Sequence, residues 1–326
     1  MTTSHPSDEF HLIAKYFAPL AAGYPGALGL KDDAALVDAQ PGERLVVTVD
    51  AIVAGVHFLP GDPPDLVARK LLRVNLSDIA AMGAMPVAVL LAAAFPRDST
   101  AEWLDGFAAG LAADCHAYGI SLIGGDTVAT PGPLTLSATA LGRVAQGKEL
   151  RRSAARVGDR IYVSGTIGDA ALGLKVLKQD LRLPGGAADH LIDRYRLPRP
   201  RVGLGVSLSG LAHAALDVSD GLCADLVHIC EASAVGAVIE AGRVPLSAAA
   251  RTALAADPNL IADVLGGGDD YELLFTASPQ VERQLEELSK KLDLHLTAIG
   301  RITEGQGVRV EDLPDWSPRA SGYRHF

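Results

Sequence analysis

Carboxylates recur in this chain in one local setting, beside glycine, a turn residue or the end of a short apolar strand. They stand in Lys31-Asp32-Asp33-Ala34-Ala35, Thr48-Val49-Asp50, Asn75-Leu76-Ser77-Asp78, Gly124-Gly125-Asp126-Thr127, Asp217-Val218-Ser219-Asp220-Gly221 and Gly266-Gly267-Gly268-Asp269-Asp270. A carboxylate at the end of a buried strand is costly unless it is solvated, paired or bound to metal. A polyphosphate is itself anionic, so acidic side chains approach it only with cations in between. Mg²⁺ among hard oxygen ligands meets that need, and the repetition points to a magnesium-phosphate site. Solvation or helix capping explains any one of these aspartates more simply.

The motifs carry different chemistry. Two glycines after a strand let the backbone approach an anion closely, and the next carboxylate can hold its cation, which describes Gly124-Gly125-Asp126-Thr127. A sharp turn with an aspartate cap is the alternative there. Asp78 reads either as a helix cap or as a bridging metal ligand, and Asp50 as a ligand or a solvated turn residue. Asp217 and Asp220 flank Ser219, so a turn would aim both acids at one cation and the hydroxyl at phosphate. Arg152 offers a fixed fork of donors to phosphate, or is an ordinary solvated arginine beside Arg151 and Arg156. His57 is a polar substrate contact or a packed turn histidine. No serine, cysteine or histidine has a partner set for covalent catalysis. The dinucleotide and P-loop glycine patterns are both absent.

These residues need elements to hold them. Apolar spacing predicts helices over Phe10–Ala22, Asp65–Met82, Ala101–Tyr118, Ala170–Leu177, Leu222–Ala232 and Ala277–Leu292. Strands are expected over Leu45–Val49 ending at Asp50, Val87–Phe95, Ile120–Ile123 running into Gly124, Leu134–Val144, Arg160–Ser164 and Leu273–Phe275. Arg182–Gly186 reads as a turn. A restart of strand, glycine loop and helix near residue 150 divides the chain into domains at 1–149 and 150–326. The pattern suits two α+β domains better than a dinucleotide-binding sheet.

At 326 residues and 48% hydrophobic content the chain is globular and long enough for two domains. A net charge of −10 with no basic tract argues against nonspecific nucleic-acid binding. Cys115, Cys223 and Cys230 are too few and scattered for a disulfide framework or a thiolate metal site. The polar start lacks a signal-peptide pattern, and the run Val87–Phe95 is too short to span a bilayer, so a cytoplasmic protein with no membrane partner is expected.

With those residues in view, the chain resembles the bacterial thiamine-monophosphate kinases, of the aminoimidazole ribonucleotide synthetase-like ATP-binding superfamily. The likeness runs from Glu9-Phe10-x-Leu12-Ile13 to Gly322-Tyr323-x-His325-Phe326. Its most specific parts are Val49-Asp50-x-x-Val53-Ala54-Gly55-Val56-His57-Phe58, Asn75 to Ala84, Gly124 to Thr127 and Asp217 to Leu222. The resemblance implies an α+β fold of that superfamily, with an N-terminal mixed or antiparallel sheet forming a homodimer and a C-terminal α/β-sandwich domain. Both domains would supply the active site.

It also implies the reaction ATP plus thiamine monophosphate to ADP plus thiamine diphosphate, with the acceptor phosphate attacking the γ-phosphorus in line. On this likeness Asp33, Asp50, Asp78, Asp126 and Asp217 would gather Mg²⁺, with oxygens of Thr48 and the Val49 carbonyl contributing and Asp220 holding a further cation. Asp33, Asp78, Asp126 and Asp217 would carry catalysis. Gly125, Asp126, Arg152 and Ser219 would place ATP, and His57, Asp269 and Tyr323 would hold thiamine monophosphate. Lys31 replaces a usual glycine, and Asp269 replaces a usual glutamate in Gly267-Gly268-Asp269-Asp270-Tyr271-Glu272. Another enzyme of the superfamily, or a nucleotide-binding scaffold without catalysis, is the competing expectation.

Overall fold

Leu45, Val47 and Val49 alternate with Val46, Thr48 and Asp50, and this period of two builds the edge strand β1 (Glu43–Val53) of a four-stranded sheet. The computed structural model describes residues 12–30, 37 and 41–311. Lys31, Asp32, Asp33 and Tyr323 lie outside the described residues. The chain separates into two compact units, Met1–Ile79 with Ala84–Gln146, and Ala80–Gly83 with Gly147–Phe326.

In the first unit β1 is followed by α1 (Pro64–Ala81), β2 (Met85–Pro96), α2 (Ala101–Tyr118), β3 (Ser121–Thr130) and β4 (Thr135–Ala145). The sheet order is β1-β4-β2-β3, antiparallel except for the parallel pair β2–β3 that α2 connects. Thr100 caps α2 by accepting from the Trp103 amide at 3.2 Å, and Gly119 ends it in the left-handed region. The expected apolar faces are buried, Val67, Leu71, Val74 and Ile79 on α1 and Phe107, Leu111 and Cys115 on α2. Between the helices, buried Asp114 accepts from Arg69 at 3.0 Å and from Arg73 at 2.5 and 2.9 Å.

Two strands run further than the apolar pattern indicates. β1 passes through Asp50 because neighbours take over that residue's backbone groups: its amide donates to Asn75 Oδ1 at 3.1 Å and its carbonyl accepts from Ser137 Oγ at 3.0 Å. β3 continues through Gly124-Gly125-Asp126 instead of turning there. A Cβ on Gly125 would stand 1.9 Å from the Leu91 carbonyl oxygen, so only glycine lets the two strands stay paired. The N-terminal helix also differs from expectation. Ile13–Phe17 is a π-helical turn leading into Ala18–Ala21, where Pro19 has no amide to complete an α-helical bond.

The second unit carries β5 (Arg160–Ser164), α3 (Asp169–Leu177), α4 (Gly185–Arg196), α5 (Val202–Ser207), β6 (Ala212–Asp217), α6 (Leu222–Ser233) and β7 (Gly236–Glu240). There follow α7 (Ala248–Ala256), α8 (Ile261–Gly266), β8 (Leu273–Ala277), α9 (Glu282–Leu292), β9 (Leu296–Thr303) and β10 (Gly307–Glu311). Its sheet runs β10-β7-β9-β5-β8-β6, with only β10–β7 parallel. Ile161, Val163, Leu216 and Leu274 pack with α6 residues Leu222, Cys223, Leu226 and Cys230 on one face. Tyr162, Leu273 and Phe275 pack with Leu204, Leu208, Leu285 and Leu288 on the other. This is the α/β sandwich. Helix α9 starts at Glu282 rather than at Ala277, which belongs to β8; a 3-10 turn over Pro279–Val281, capped by Ser278, intervenes. Helix α4 begins at Gly185, inside the expected turn. Among the described residues no helix is long and apolar enough to cross a membrane.

The arginine pair around Asp114 depends on one carboxylate with a side-chain exposure of 1%. Asp114→Ala leaves two arginines facing a hole, and a loss of about 3 to 5 kcal/mol is expected, read as a lower urea midpoint with unchanged slope.

Candidate functional site

In the first unit the period of β1 turns Thr48 and Asp50 toward α1. Thr48 Oγ1 donates to Asp78 Oδ2 at 2.5 Å. Asn75, one helical turn before Asp78 and fully buried, fixes the Asp50 backbone and donates its own amide to the Leu71 carbonyl at 2.9 Å. Burial, and next the negative charge of Asp78, push the Asp50 carboxyl up to about 6. Two acids and a hydroxyl thus share one half-buried place, and their mutual repulsion is the electrostatic signature of a site suited to a cation. Hard oxygens are the donors Mg²⁺ takes, so the set fits it. Among the described residues no three His, Cys, Asp or Glu side chains are arranged around a common metal position.

The expected gathering of Asp126 with Asp50 and Asp78 is not found in this unit. The register aligns Asp126 with Ala92, Ser137 and Ala51, on the face of the sheet opposite Asp50. Asp126 is exposed there, accepting from the Thr127 amide at 2.9 Å. The Val49 side chain lies on that outer face too, 62% exposed. His57 closes the turn after β1: its Nδ1 accepts from the Val53 amide at 3.0 Å, which leaves the neutral ring's proton on Nε2.

In the second unit Asp217 ends β6, and Ser219 and Asp220 form the loop into α6. Three consecutive amides, those of Ser219, Asp220 and Gly221, donate to Asp225 Oδ2 at 3.0, 3.0 and 3.1 Å. Burial, then the charges of Asp217 and Asp220, push the Asp225 carboxyl up to about 8 against these donors. A second loop, Gly267 to Glu272, lies directly on the first. Asp269 donates its amide to the Ser219 carbonyl and Tyr271 to the Val218 carbonyl, both at 2.8 Å. The structure therefore brings Asp217, Ser219, Asp220 and Asp269 together. Arg152 lies exposed in a 3-10 turn (Arg152–Ala154) beside β6 and α6, its carbonyl accepting from Ser233 Oγ at 2.7 Å.

The rest of the second loop is structural. Asp270 is fully buried and accepts from the Gly168 and Ala170 amides at the start of α3, at 2.7 and 3.3 Å, while burial raises its carboxyl well above the usual range. Glu272 accepts from Ser164 at 2.6 Å, from Arg194 at 3.0 Å and bidentately from Arg201 at 2.6 and 2.5 Å. Asn75 and Asp225 are the positions sequence reasoning missed. For Asp225 the available signal was an acid in the first turn of the helix that follows Ser219-Asp220-Gly221.

An acid whose folded pKa lies above its unfolded value weakens the fold once ionised. The Asp50 penalty is therefore absent below about pH 4 and complete above about pH 6. In EDTA, parental protein is expected to lose urea resistance between pH 4.5 and 7.5 more steeply than Asp50→Asn; parallel curves would contradict the assignment.

The sequence matches two protein families in tandem: AIR synthase related protein, N-terminal domain, over residues 31–144, and AIR synthase related protein, C-terminal domain, over residues 156–312. Thiamine-monophosphate kinase of Caulobacter vibrioides is 44% identical over 324 residues, spanning 98% of this chain and 91% of that one. The crystal structure of thiamine-monophosphate kinase from Stenotrophomonas maltophilia K279a superimposes with a TM-score of 0.84 at 43% identity, covering 91% of this chain and 96% of that one. AaThiL complexed with AMPPCP and TMP superimposes with a TM-score of 0.80 at 31% identity, covering 98% and 97%. Such identity over nearly the whole length, on a fold shared through both units, means that the chain belongs to the thiamine-monophosphate kinases, among the AIR synthase related proteins.

Proposed function

We propose that the acidic sites of the two units serve one phosphoryl transfer, with each unit supplying its own part. The chain is an ATP-dependent phosphotransferase that converts thiamine monophosphate to thiamine diphosphate, as its family does. The observation that carries the assignment of roles is the pair Asp50 and Asp78: the charge of Asp78, whose Oδ2 accepts from the Thr48 hydroxyl, adds to burial in pushing the Asp50 carboxyl up.

Thr48, Asp50 and Asp78 would hold Mg²⁺, joined by Asp33 and the Val49 carbonyl, while Asp217 and Asp220 hold cations in the second unit. Bound there, Mg²⁺ offsets the negative charge of the reacting phosphates. Thr48 orients Asp78 by its hydrogen bond, and Asn75 holds Asp50 in register. Ser219 offers its hydroxyl, and Arg152 its guanidinium, to the phosphates of ATP. Gly125 and Asp126 are assigned to the nucleotide on the family likeness, apart from the Asp50–Asp78 pair. His57 presents Nε2–H to thiamine monophosphate, Asp269 places a carboxylate toward its cationic ring, and Tyr323 completes that contact. The acceptor's phosphate oxygen forms the new bond to the γ-phosphorus as the bond to ADP breaks, so no side chain is phosphorylated.

Following ATP consumption and thiamine diphosphate formation together tests the reaction, and ATP loss without thiamine diphosphate would reject it. EDTA is expected to abolish turnover reversibly. Asp78→Asn is expected to fold and to lose about 100-fold or more in rate, on the scale of one strong electrostatic contact; near-parental turnover would make Asp78 a capping residue.

The reading also includes a cytoplasmic homodimer. On the outer face of the first sheet the segment around Ala21 and Ala27 covers Ala88, Leu90 and Leu141, whereas Leu45, Val47, Val49 and Val128 are 44, 61, 62 and 50% exposed. The exposed apolar row Leu45, Val47 and Val49 along the edge strand β1 supports a partner sheet. Val47→Asp with Val49→Asp should convert a dimer to a monomer in light scattering; a dimer that persists would move the interface elsewhere.

A further inference from the structure

Three successive backbone N–H groups in a turn form a concave nest of the kind that receives an anion. In the loop after β6 that anion is internal. The nest of Ser219, Asp220 and Gly221 closes on one oxygen of Asp225, which is 4% exposed. The Asp225 amide returns a bond to the Gly221 carbonyl at 2.9 Å, so the loop is tied to the first turn of α6 in both directions. The loop thus has its own amides engaged, and the Ser219 hydroxyl remains its means of meeting phosphate.

The same loop is the seat of the next. Ser219 O accepts from Asp269, Val218 O accepts from Tyr271, and the Val218 amide donates to Glu272 O at 2.9 Å. A Cβ on Gly268 would stand 2.0 Å from the Ser219 carbonyl oxygen, so the two backbones are in direct contact. Asp269 and Tyr271 both have positive φ, 69° and 50°, a conformation that leaves this loop little room to adjust independently. A shift of Ser219 must therefore carry Asp269 with it.

We propose that Asp225 is a positioning residue for both substrates: through three amides it sets Ser219, and through the Ser219 carbonyl it sets Asp269. The inference rests on the assignment of Ser219 to ATP and Asp269 to thiamine monophosphate. It predicts a signature that neither contact residue shares, a coupled defect toward two different ligands from one buried side chain.

The test compares Asp225→Ala, which removes the acceptor, with Asp225→Asn, which keeps an acceptor oxygen, in the full-length enzyme. By hydrogen exchange and mass spectrometry, Asp225→Ala is expected to raise exchange in segments 217–222 and 267–272 while α9 stays parental, and Asp225→Asn to leave all three unchanged. Asp225→Ala should lower kcat/KM for ATP and for thiamine monophosphate alike by about 100-fold, the scale of an ångström's misplacement, and Asp225→Asn by no more than about threefold. Ser219→Ala should affect ATP, and Asp269→Ala thiamine monophosphate. A folded Asp225→Ala enzyme with parental exchange in 267–272, or with a defect toward one ligand only, would overturn the proposal. If Asp225→Ala does not fold, Asp225→Ser and Asp225→Asn decide: a serine variant as tightly protected as the parent, or an asparagine variant with both segments opened, would overturn it. If both loops open while Ser219→Ala and Asp269→Ala leave kinetics unchanged, the loop coupling stands and the ligand assignment falls.

Discussion

A carboxylate removed from water must find donors, and the architecture of both units turns on how each acid meets that demand. In the second unit the demand is met mostly by the backbone. Asp225 takes three amides of one loop, and Asp270 takes two at the start of α3. Asp169, at the first position of the same helix, accepts from the hydroxyls of Thr166 and Ser247 at 2.6 Å each. The bonds between Asp270 and the start of α3 and between Ser247 and Asp169 join segments far apart in the chain, while those at Asp225 and between Thr166 and Asp169 fix local turns. The acids are therefore the means by which glycine-rich segments acquire a fixed shape.

In the first unit a hydroxyl and a side-chain amide take part instead. Asp78 receives the Thr48 hydroxyl, yet the charge of Asp78 still acts on Asp50 through a half-buried space. Asn75 spends its side chain on backbone groups at Asp50 and Leu71, which aligns strand and helix without neutralising either acid. Around Asp114, by contrast, two arginines surround one carboxylate. The contrast within a single helix, with Arg69 and Arg73 holding Asp114 and Asp78 acting on Asp50, distinguishes an acid fixed by cations from an acid that raises a neighbour's cost of ionisation.

The same distinction explains what the sequence made legible. Apolar spacing revealed α1, α2 and α6 and the strands β2, β4 and β5, because each buries a regular stripe. It failed at Asp50 and at Gly124-Gly125-Asp126, where polar or glycine residues lie within strands and the pairing is decided by distant partners, Asn75 and Leu91. Residue types also led to the neighbourhood of Asp217, Ser219, Asp220 and Asp269, while the acid that organises them, Asp225, looked like an ordinary first-turn residue of a helix. Asp126 shows the converse. Its motif announces chemistry, but only the register of four strands reveals that it faces away from Asp50.

Backbone amides have a property that side-chain cations lack: they stabilise an acid without bringing a net charge to the site. An arginine set where the Ser219–Gly221 nest lies would pair as readily with Asp217 or Asp220 as with Asp225, and would compete with any cation those acids receive. Arg194 and Arg201 are instead engaged by Glu272, whose carboxylate is fully buried behind the loop and takes both guanidinium groups and the Ser164 hydroxyl. The buried network thereby keeps fixed positive charge on the inner side of the second loop. Asp269, three residues before Glu272, is half-buried, has positive φ and is pinned by its amide to the Ser219 carbonyl. Along Asp269-Asp270-Tyr271-Glu272 the two fully buried acids, Asp270 and Glu272, thus anchor the loop to the start of α3 and to Arg194 and Arg201, and they hold the backbone of the half-buried Asp269 in place between them and Ser219.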